Sequence, residues 1–87
     1  MGVIVDVRIN TYQNPLAFVV ERKDLIKVGD EYFVYLVKDG EAEKRKVALG
    51  RQQGLDVEVA DGLVAGEELI VEGQMLLDEG SKVKIIQ

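Results

Sequence analysis

Carboxylates are the only side chains in this sequence numerous enough to suggest acid–base chemistry. The chain has 16 acidic residues but no histidine and no cysteine, which excludes disulfides, thiol chemistry, most zinc sites and the commonest general base. The pairs Asp78-Glu79 and Glu67-Glu68 are adjacent in sequence, and adjacent residues of a strand point to opposite faces. We therefore interpret them as solvated edges or turns. No nucleophile, base and orienting group can be combined from this composition, so we expect no enzymatic activity.

Ligands for metal ions or phosphate groups are equally sparse. Asp56, Glu58 and Asp61 come nearest to a calcium loop, but the alternation of acidic and apolar residues around them predicts the surface of a strand. The glycine-rich turns match neither the dinucleotide-binding motif nor the P-loop motif. We expect no metal and no cofactor.

The charge of the chain argues against nucleic acid as a partner. The formal net charge is -5, from 11 basic and 16 acidic residues, and an acidic surface repels phosphates unless basic residues cluster. The one basic cluster, Lys44-Arg45-Lys46, has Glu41 and Glu43 beside it. No run approaches the roughly 18 apolar residues of a membrane span, and the N-terminus lacks the pattern of a signal peptide.

The dominant hydrophobic period is two residues, the period of a strand with one buried face. The β-branched and aromatic run Tyr32–Val37 is the strongest strand signal. Asp39-Gly40 follows it and predicts a type I′ hairpin, because both positions then need positive φ. The next strand begins with residues that are polar on both faces, so we expect the hairpin tip to project into water. Strands are predicted at residues 3–9, 16–21, 32–37, 42–49, 55–60, 69–71 and 82–85.

Glycines divide the chain between these strands. The positions expected to support turns are Gly40, Gly50, Gly62, Gly66, Gly73 and Gly80. Gly50–Gly54 is predicted to be a loop and Lys27–Glu31 a chain reversal. Gly73–Gly80 would hold at most one short helical turn, through Met75–Leu77. The fold class is therefore all-β: a single domain of residues 1–87 forming a small antiparallel β-roll or barrel of about seven short strands.

Three segments are candidates for binding a partner. Arg51-Gln52-Gln53 is a polar loop with a glycine at each end, and loops held by a rigid sheet are common binding elements; a plain connector is the other interpretation. Lys44-Arg45-Lys46 is either a solvated hairpin arm or a contact for an acidic partner surface. The aromatic residues Tyr32, Phe33 and Tyr35 would suit core packing or stacking on bases. Their place in the most apolar strand of an acidic protein favours the core.

The order of these segments resembles the membrane-proximal domain of periplasmic adaptor proteins, also called membrane fusion proteins, from tripartite efflux pumps. The family pattern combines a valine-rich strand, V-[FY]-V, a glycine hairpin, V-x-x-G, G-L-x-x-G-[DE]-x-[VL]-[VI]-x-x-G and L-x-[DE]-G-x-x-V. The matching segments are Val19-Val20, Phe33-Val34-Tyr35, Asp39-Gly40, Val47–Gly50, Gly62–Gly73 and Leu77–Val83. They cover about residues 17–86 in order and at the family spacing. The sequence departs from the pattern where Glu21 replaces a proline and Asp24 replaces an alanine.

The resemblance implies a docking domain that makes and breaks no bonds. It would contact the periplasmic face of an inner-membrane transporter and couple it to an outer-membrane channel, with other adaptor protomers as further partners. It also implies a periplasmic location, with the parent protein anchored to the inner membrane and this fragment soluble. Residues 1–14 would be the last strand of an adjoining β-barrel domain or the first strand of this one. Arg51–Gln53 and Lys44–Lys46 are the partner contacts on this view, and the alternative is a stand-alone small β-barrel that binds single-stranded nucleic acid.

Overall fold

The computed structural model describes residues 4–11 and 18–86. Within them are eight strands and two single-turn 3₁₀ helices, η1 (Arg22–Asp24) and η2 (Gln74–Leu76). The strands are β1 (Ile4–Thr11), β2 (Val19–Glu21), β3 (Ile26–Val28), β4 (Glu31–Lys38), β5 (Glu41–Gln53), β6 (Asp56–Asp61), β7 (Glu68–Glu72) and β8 (Lys82–Ile85). The all-β prediction is confirmed. β3 and η1 had no counterpart in the prediction, and the segments 1–14 and 16–21 lie partly outside the described residues. No helix in the described ranges is long and apolar enough to cross a membrane.

Five of the strands close into a small barrel. The ring of pairings runs from β5 to β8, β1, β7 and β4, and β4 returns to β5. β1 and β8 are parallel, unlike the antiparallel prediction, with Ile4 opposite Lys82 and Val7 opposite Ile85. The reason is that the chain crosses the end of the barrel after β7 and returns on the other side of β1. A backbone hydrogen bond from Ala42 N to Ser81 O, at 2.7 Å, helps to close the short seam between β5 and β8.

The remaining strands extend the barrel at two places. β3 pairs with β4, while β6 pairs with the far half of β5, and β2 pairs with β6. β5 serves both parts because it is 13 residues long and has register irregularities between Ala48 and Gln52. Such bulges bend a strand without ending it. The prediction of a loop at Gly50–Gly54, with Gly50 in a turn, is therefore wrong: residues 51–53 continue β5, and the turn is Gly54-Leu55.

Two apolar clusters lie on opposite sides of β4. The inner cluster is enclosed by the five barrel strands, and its buried members are Val7, Tyr35, Ala42, Ile70 and Leu77. The outer cluster lies between the barrel wall and the β2–β6 pair, and its buried members are Phe18, Val20, Val34, Leu36, Val47, Val59 and Leu69. Alternate residues of β4 face the two clusters, so this strand is apolar on both sides. Burial on both faces explains why the β4 sequence is almost entirely apolar and is the clearest strand prediction in the chain.

The β4–β5 hairpin turns through Asp39 (φ 54°) and Gly40 (φ 76°), and both have the positive φ that a type I′ turn requires. Immediately beyond the turn, however, Ala42 is buried in the inner cluster. The backbone of residues 80–82 lies alongside it, and Gly80 N donates to Ala42 O at 2.8 Å. Residues 38–41 at the tip are exposed, as predicted, but a segment distant in sequence packs beside the start of β5.

The glycines at 40, 62, 66, 73 and 80 all have positive φ. At two of them the available space also matters. A Cβ on Gly62 would lie 2.6 Å from the backbone oxygen of Lys46, and one on Gly73 would lie 2.7 Å from that of Asp6. These two glycines therefore let the segments before and after β7 cross the barrel backbone closely.

Candidate partner-binding surface

The six residues expected to contact a partner all lie on β5, but in two separate groups. Lys44–Lys46 belongs to the half of β5 that pairs with β4, and Arg51–Gln53 to the half that pairs with β6. Four residues lie between Lys46 and Arg51, which are therefore about 17 Å apart at the rise of a β-strand. The structure does not bring the two groups together.

Arg45 is bonded to neighbouring groups of the domain. Its Nη2 lies 2.5 Å from Glu43 Oε2 and 3.1 Å from Glu67 Oε2, and its Nη1 donates to the Gly62 carbonyl at 3.0 Å. The hydrogen bond to Glu43, followed by the charge of Glu67, raises the pKa of the Arg45 guanidinium. Glu67 Oε1 also accepts from Val64 N at 2.8 Å. Arg45 therefore holds the turn before β7 against the barrel, and both of its terminal nitrogens are already engaged.

The two lysines of this group interact with β4. Lys44 Nζ lies 4.9 Å from the centroid of the Phe33 ring, a cation–π distance. Lys46 Nζ pairs with the carboxylate of Glu31. Both contacts lie on the same face of the β4–β5 ladder, so these lysine side chains lie along the sheet.

The second group forms an exposed face of the β5–β6 hairpin. Arg51 and Gln53 line a shallow groove with Val19, Asp56 and Glu58. All five side chains are exposed. The groove therefore has a cation, an amide, two carboxylates and one apolar side chain, a mixture suited to a polar protein surface.

η1 braces the tip of this hairpin. Arg22 N donates to the Leu55 carbonyl at 2.9 Å. With the Gln52 amide oriented so that its oxygen faces Arg22, that oxygen accepts from Nε and Nη1 of Arg22, each at 3.1 Å. Leu55 itself is 73% exposed at the tip. The hairpin thus exposes an apolar residue on a turn whose backbone is fixed by a hydrogen bond from η1.

A buried carboxylate holds η1 in place. Asp24 is only 3% exposed, and its Oδ1 accepts from Lys23 Nζ at 3.1 Å and from Gln74 Nε2 at 3.2 Å. Lys23 Nζ also donates to the Val71 carbonyl at 2.9 Å, and the hydrogen bond with Asp24 raises the pKa of Lys23. Sequence reasoning did not assign this role. The available signal was that an acidic residue replaces a small one at this position of the family pattern.

The three aromatic residues of β4 do not share a surface. Tyr35 is buried in the inner cluster, and its hydroxyl donates to the Leu77 carbonyl at 3.1 Å. Tyr32 packs against the outer cluster, while Phe33 lies on the opposite face of the strand under Lys44. Stacking on successive bases needs rings that face the same groove. The arrangement observed here is one of core and rim packing.

The described residues contain no group of three or more carboxylates that could hold a metal ion. Asp56 and Glu58 lie on the exposed face of β6, as the alternating pattern predicted.

A family model described as YknX, C-terminal permuted SH3-like domain, matches residues 17–85. The chain belongs to this family. The match confirms the resemblance drawn from the sequence, and it makes the chain the C-terminal domain of a periplasmic efflux adaptor. Members of this type are adaptors, so the prediction that the chain is not an enzyme is also confirmed.

Curated relatives of the adaptor domain are named for multidrug resistance and for macrolide export. The multidrug resistance protein MdtA of Xenorhabdus bovienii is 29% identical over 84 residues, which cover 95% of this chain and 20% of the relative. MdtA of Salmonella typhimurium is 31% identical over 81 residues, covering 91% and 19%. The macrolide export protein MacA of Escherichia coli O157:H7 is 42% identical over 45 residues, covering 51% and 12%. The chain thus spans about a fifth of the length of the MdtA relatives and less of MacA.

Proposed function

We propose that this adaptor domain docks on the periplasmic face of an inner-membrane export transporter and helps to couple it to an outer-membrane channel. Docking is non-covalent, and the channel and the neighbouring adaptor protomers are reached through other parts of the parent protein. The parent protein is periplasmic and anchored to the inner membrane. Family membership, the multidrug resistance named for MdtA and the macrolide export named for MacA support this proposal.

The observation that carries the docking proposal is the braced β5–β6 hairpin. Its outer face exposes Arg51 and Gln53, its tip exposes Leu55, and Arg22 holds the backbone at that tip. A surface fixed before contact loses less conformational entropy on binding than a free loop would. We assign the transporter contact to this hairpin. The engagement of Arg45 with Glu43 and Glu67 removes it from the contact set.

The test is to replace Arg51, Gln52 and Gln53 together by alanine in the full-length parent protein. Affinity for the purified transporter is measured by surface plasmon resonance. We expect dissociation to become about tenfold faster or more, because arginine side chains are frequent energetic centres of interfaces. The control replaces Lys38, Glu79 and Lys84, which are exposed elsewhere, by alanine. Unchanged affinity in the first variant would overturn the assignment of the contact.

A further inference from the structure

The outer side of β3 is an open sheet edge. β3 pairs with β4, with Ile26 opposite Phe33 and Val28 opposite Glu31, and it stands last in the strand order. No strand in residues 4–11 or 18–86 pairs with its other side. Hydrogen-bonded and non-hydrogen-bonded pairs alternate in an antiparallel ladder, so part of the backbone of β3 directs its N–H and C=O groups away from β4.

An apolar face adjoins this edge. Val28 is 50% exposed, and Ile26 and Phe33, which lie directly opposite each other, are both half-buried. Lys44, which belongs to β5 on the other side of β4, lies over the Phe33 ring on this face. An added strand would therefore find backbone partners along β3 and apolar contacts on one side of the sheet.

The charge of the edge strand decides which kind of strand fits. Lys27 stands in the middle of β3 and is exposed, with its Nζ 5.9 Å from the Tyr32 ring. In the described part of the chain neither Lys27 nor Lys44 has a carboxylate at salt-bridge distance, whereas Glu31 is neutralised by Lys46. A second copy pairing through the same edge would bring Lys27 close to its own equivalent. Like charges across a strand pair are destabilising, and edge lysines block self-association in this way.

We propose that the outer edge of β3 binds an extended segment of another protein by strand addition, and that this segment alternates apolar and acidic residues. The apolar residues lie on the side of Ile26 and Val28, and the acidic residues lie on the side of Lys27. Main-chain hydrogen bonds supply affinity in this mode of recognition, and alternate side chains supply specificity. The site uses residues different from those of the β5–β6 hairpin, because β3 pairs only with β4 among the described strands. It does not rest on the proposed function.

The experiment titrates the isotopically labelled chain with two synthetic peptides of about eight residues, the length of a typical strand. In one peptide valine alternates with glutamate, and in the other with lysine. We expect the glutamate peptide to shift the backbone amide resonances of Ile26–Val28. It should bind about fivefold more tightly than the lysine peptide, because the contact with Lys27 changes from attraction to repulsion. A glutamate peptide with alternate backbone nitrogens methylated should lose binding.

The variant Lys27→Glu distinguishes recognition of charge from nonspecific binding of the peptide. We expect it to reverse the preference between the two peptides, and Lys84→Glu, the same charge change on the exposed surface of β8, to preserve it. Dispersed amide resonances check that each variant is folded. Failure of the glutamate peptide to shift Ile26–Val28, or an unchanged preference in Lys27→Glu, would overturn the proposal.

Discussion

Asp24 accepts a hydrogen bond from Gln74 across 50 residues of sequence, at 3.2 Å. Asp24 follows β2 and Gln74 follows β7, so this contact ties the strand pair that covers the outer cluster to the wall of the barrel. In the same 3₁₀ turn, Arg22 holds the tip of the β5–β6 hairpin through the Leu55 carbonyl. The position of the proposed docking surface therefore depends on a buried carboxylate as well as on the hairpin's own turn.

Replacement of Asp24 by alanine should lower the free energy of unfolding by about 1 to 3 kcal/mol, because the side-chain amide of Gln74 loses its carboxylate partner in a part-buried site. Urea denaturation measures this change. Asp56→Ala removes a carboxylate from the exposed face of β6 and should change stability by less than about 0.5 kcal/mol. Equal effects of the two substitutions would contradict the role given to Asp24.

Replacement of Tyr35 by phenylalanine should lower the free energy of unfolding by about 1 kcal/mol at neutral pH, because the buried hydroxyl donates to the Leu77 carbonyl. The pKa of Tyr35 is raised above its ordinary value of 10.0, mainly by burial and also by the charges of Asp78 and Glu79. The folded chain thus holds this proton more tightly than the unfolded chain does. The corresponding stability is complete below the unfolded pKa and is lost as the pH rises through the folded pKa.

The unaltered chain should accordingly lose stability above pH 10 more steeply than Tyr35→Phe does. Lys23 and Arg45, whose pKa values are also raised, are present in both proteins and cancel in the comparison. Urea denaturation at a series of pH values from about 8 to 11 measures the two slopes. Parallel curves would show that the Tyr35 hydroxyl has the same proton affinity in the folded and unfolded chains.

Replacement of Gly62 by alanine should destabilise the domain more than replacement of Gly66. Both glycines have positive φ, 108° and 90°, so both substitutions strain the backbone, each at about 1 to 3 kcal/mol. Only at Gly62 would the new Cβ meet backbone, 2.6 Å from the Lys46 oxygen, whereas nothing lies within 4 Å at Gly66. The difference between their free energies of unfolding therefore reports mainly the steric clash at Gly62. A difference near zero would mean that the turn before β7 can move away from β5.

The parts of the fold that the sequence predicted are those with local causes. Asp39-Gly40 favours a type I′ turn through its own residue types, and the apolar run of β4 indicates burial on both faces. The length of β5 was missed because Gly50 and its polar neighbours look like a turn, whereas a bulge allows the strand to continue. β3 was missed because three residues are too few to show a period.

The remaining features depend on contacts between distant segments. Ala42 is covered by residues 80–82, and Arg45 is engaged by Glu67 from the turn before β7. Neither contact leaves a periodic trace in the sequence around β5. For the same reason a charge cluster at Lys44–Lys46 resembled a free arm, although each of its members has a partner in the folded chain.

The parallel pairing of β1 and β8 has a mechanical consequence. The two strands run side by side in one direction, so the start of β1 and the end of β8 point to opposite ends of the barrel. A pulling force applied between Ile4 and Ile85 would act along the strands and strain the whole ladder between them at once. Two antiparallel terminal strands pulled in this way would instead separate one bond at a time, under much less tension. Tension between these two ends would therefore load the β1–β8 ladder in shear, with its four residue pairs sharing the force.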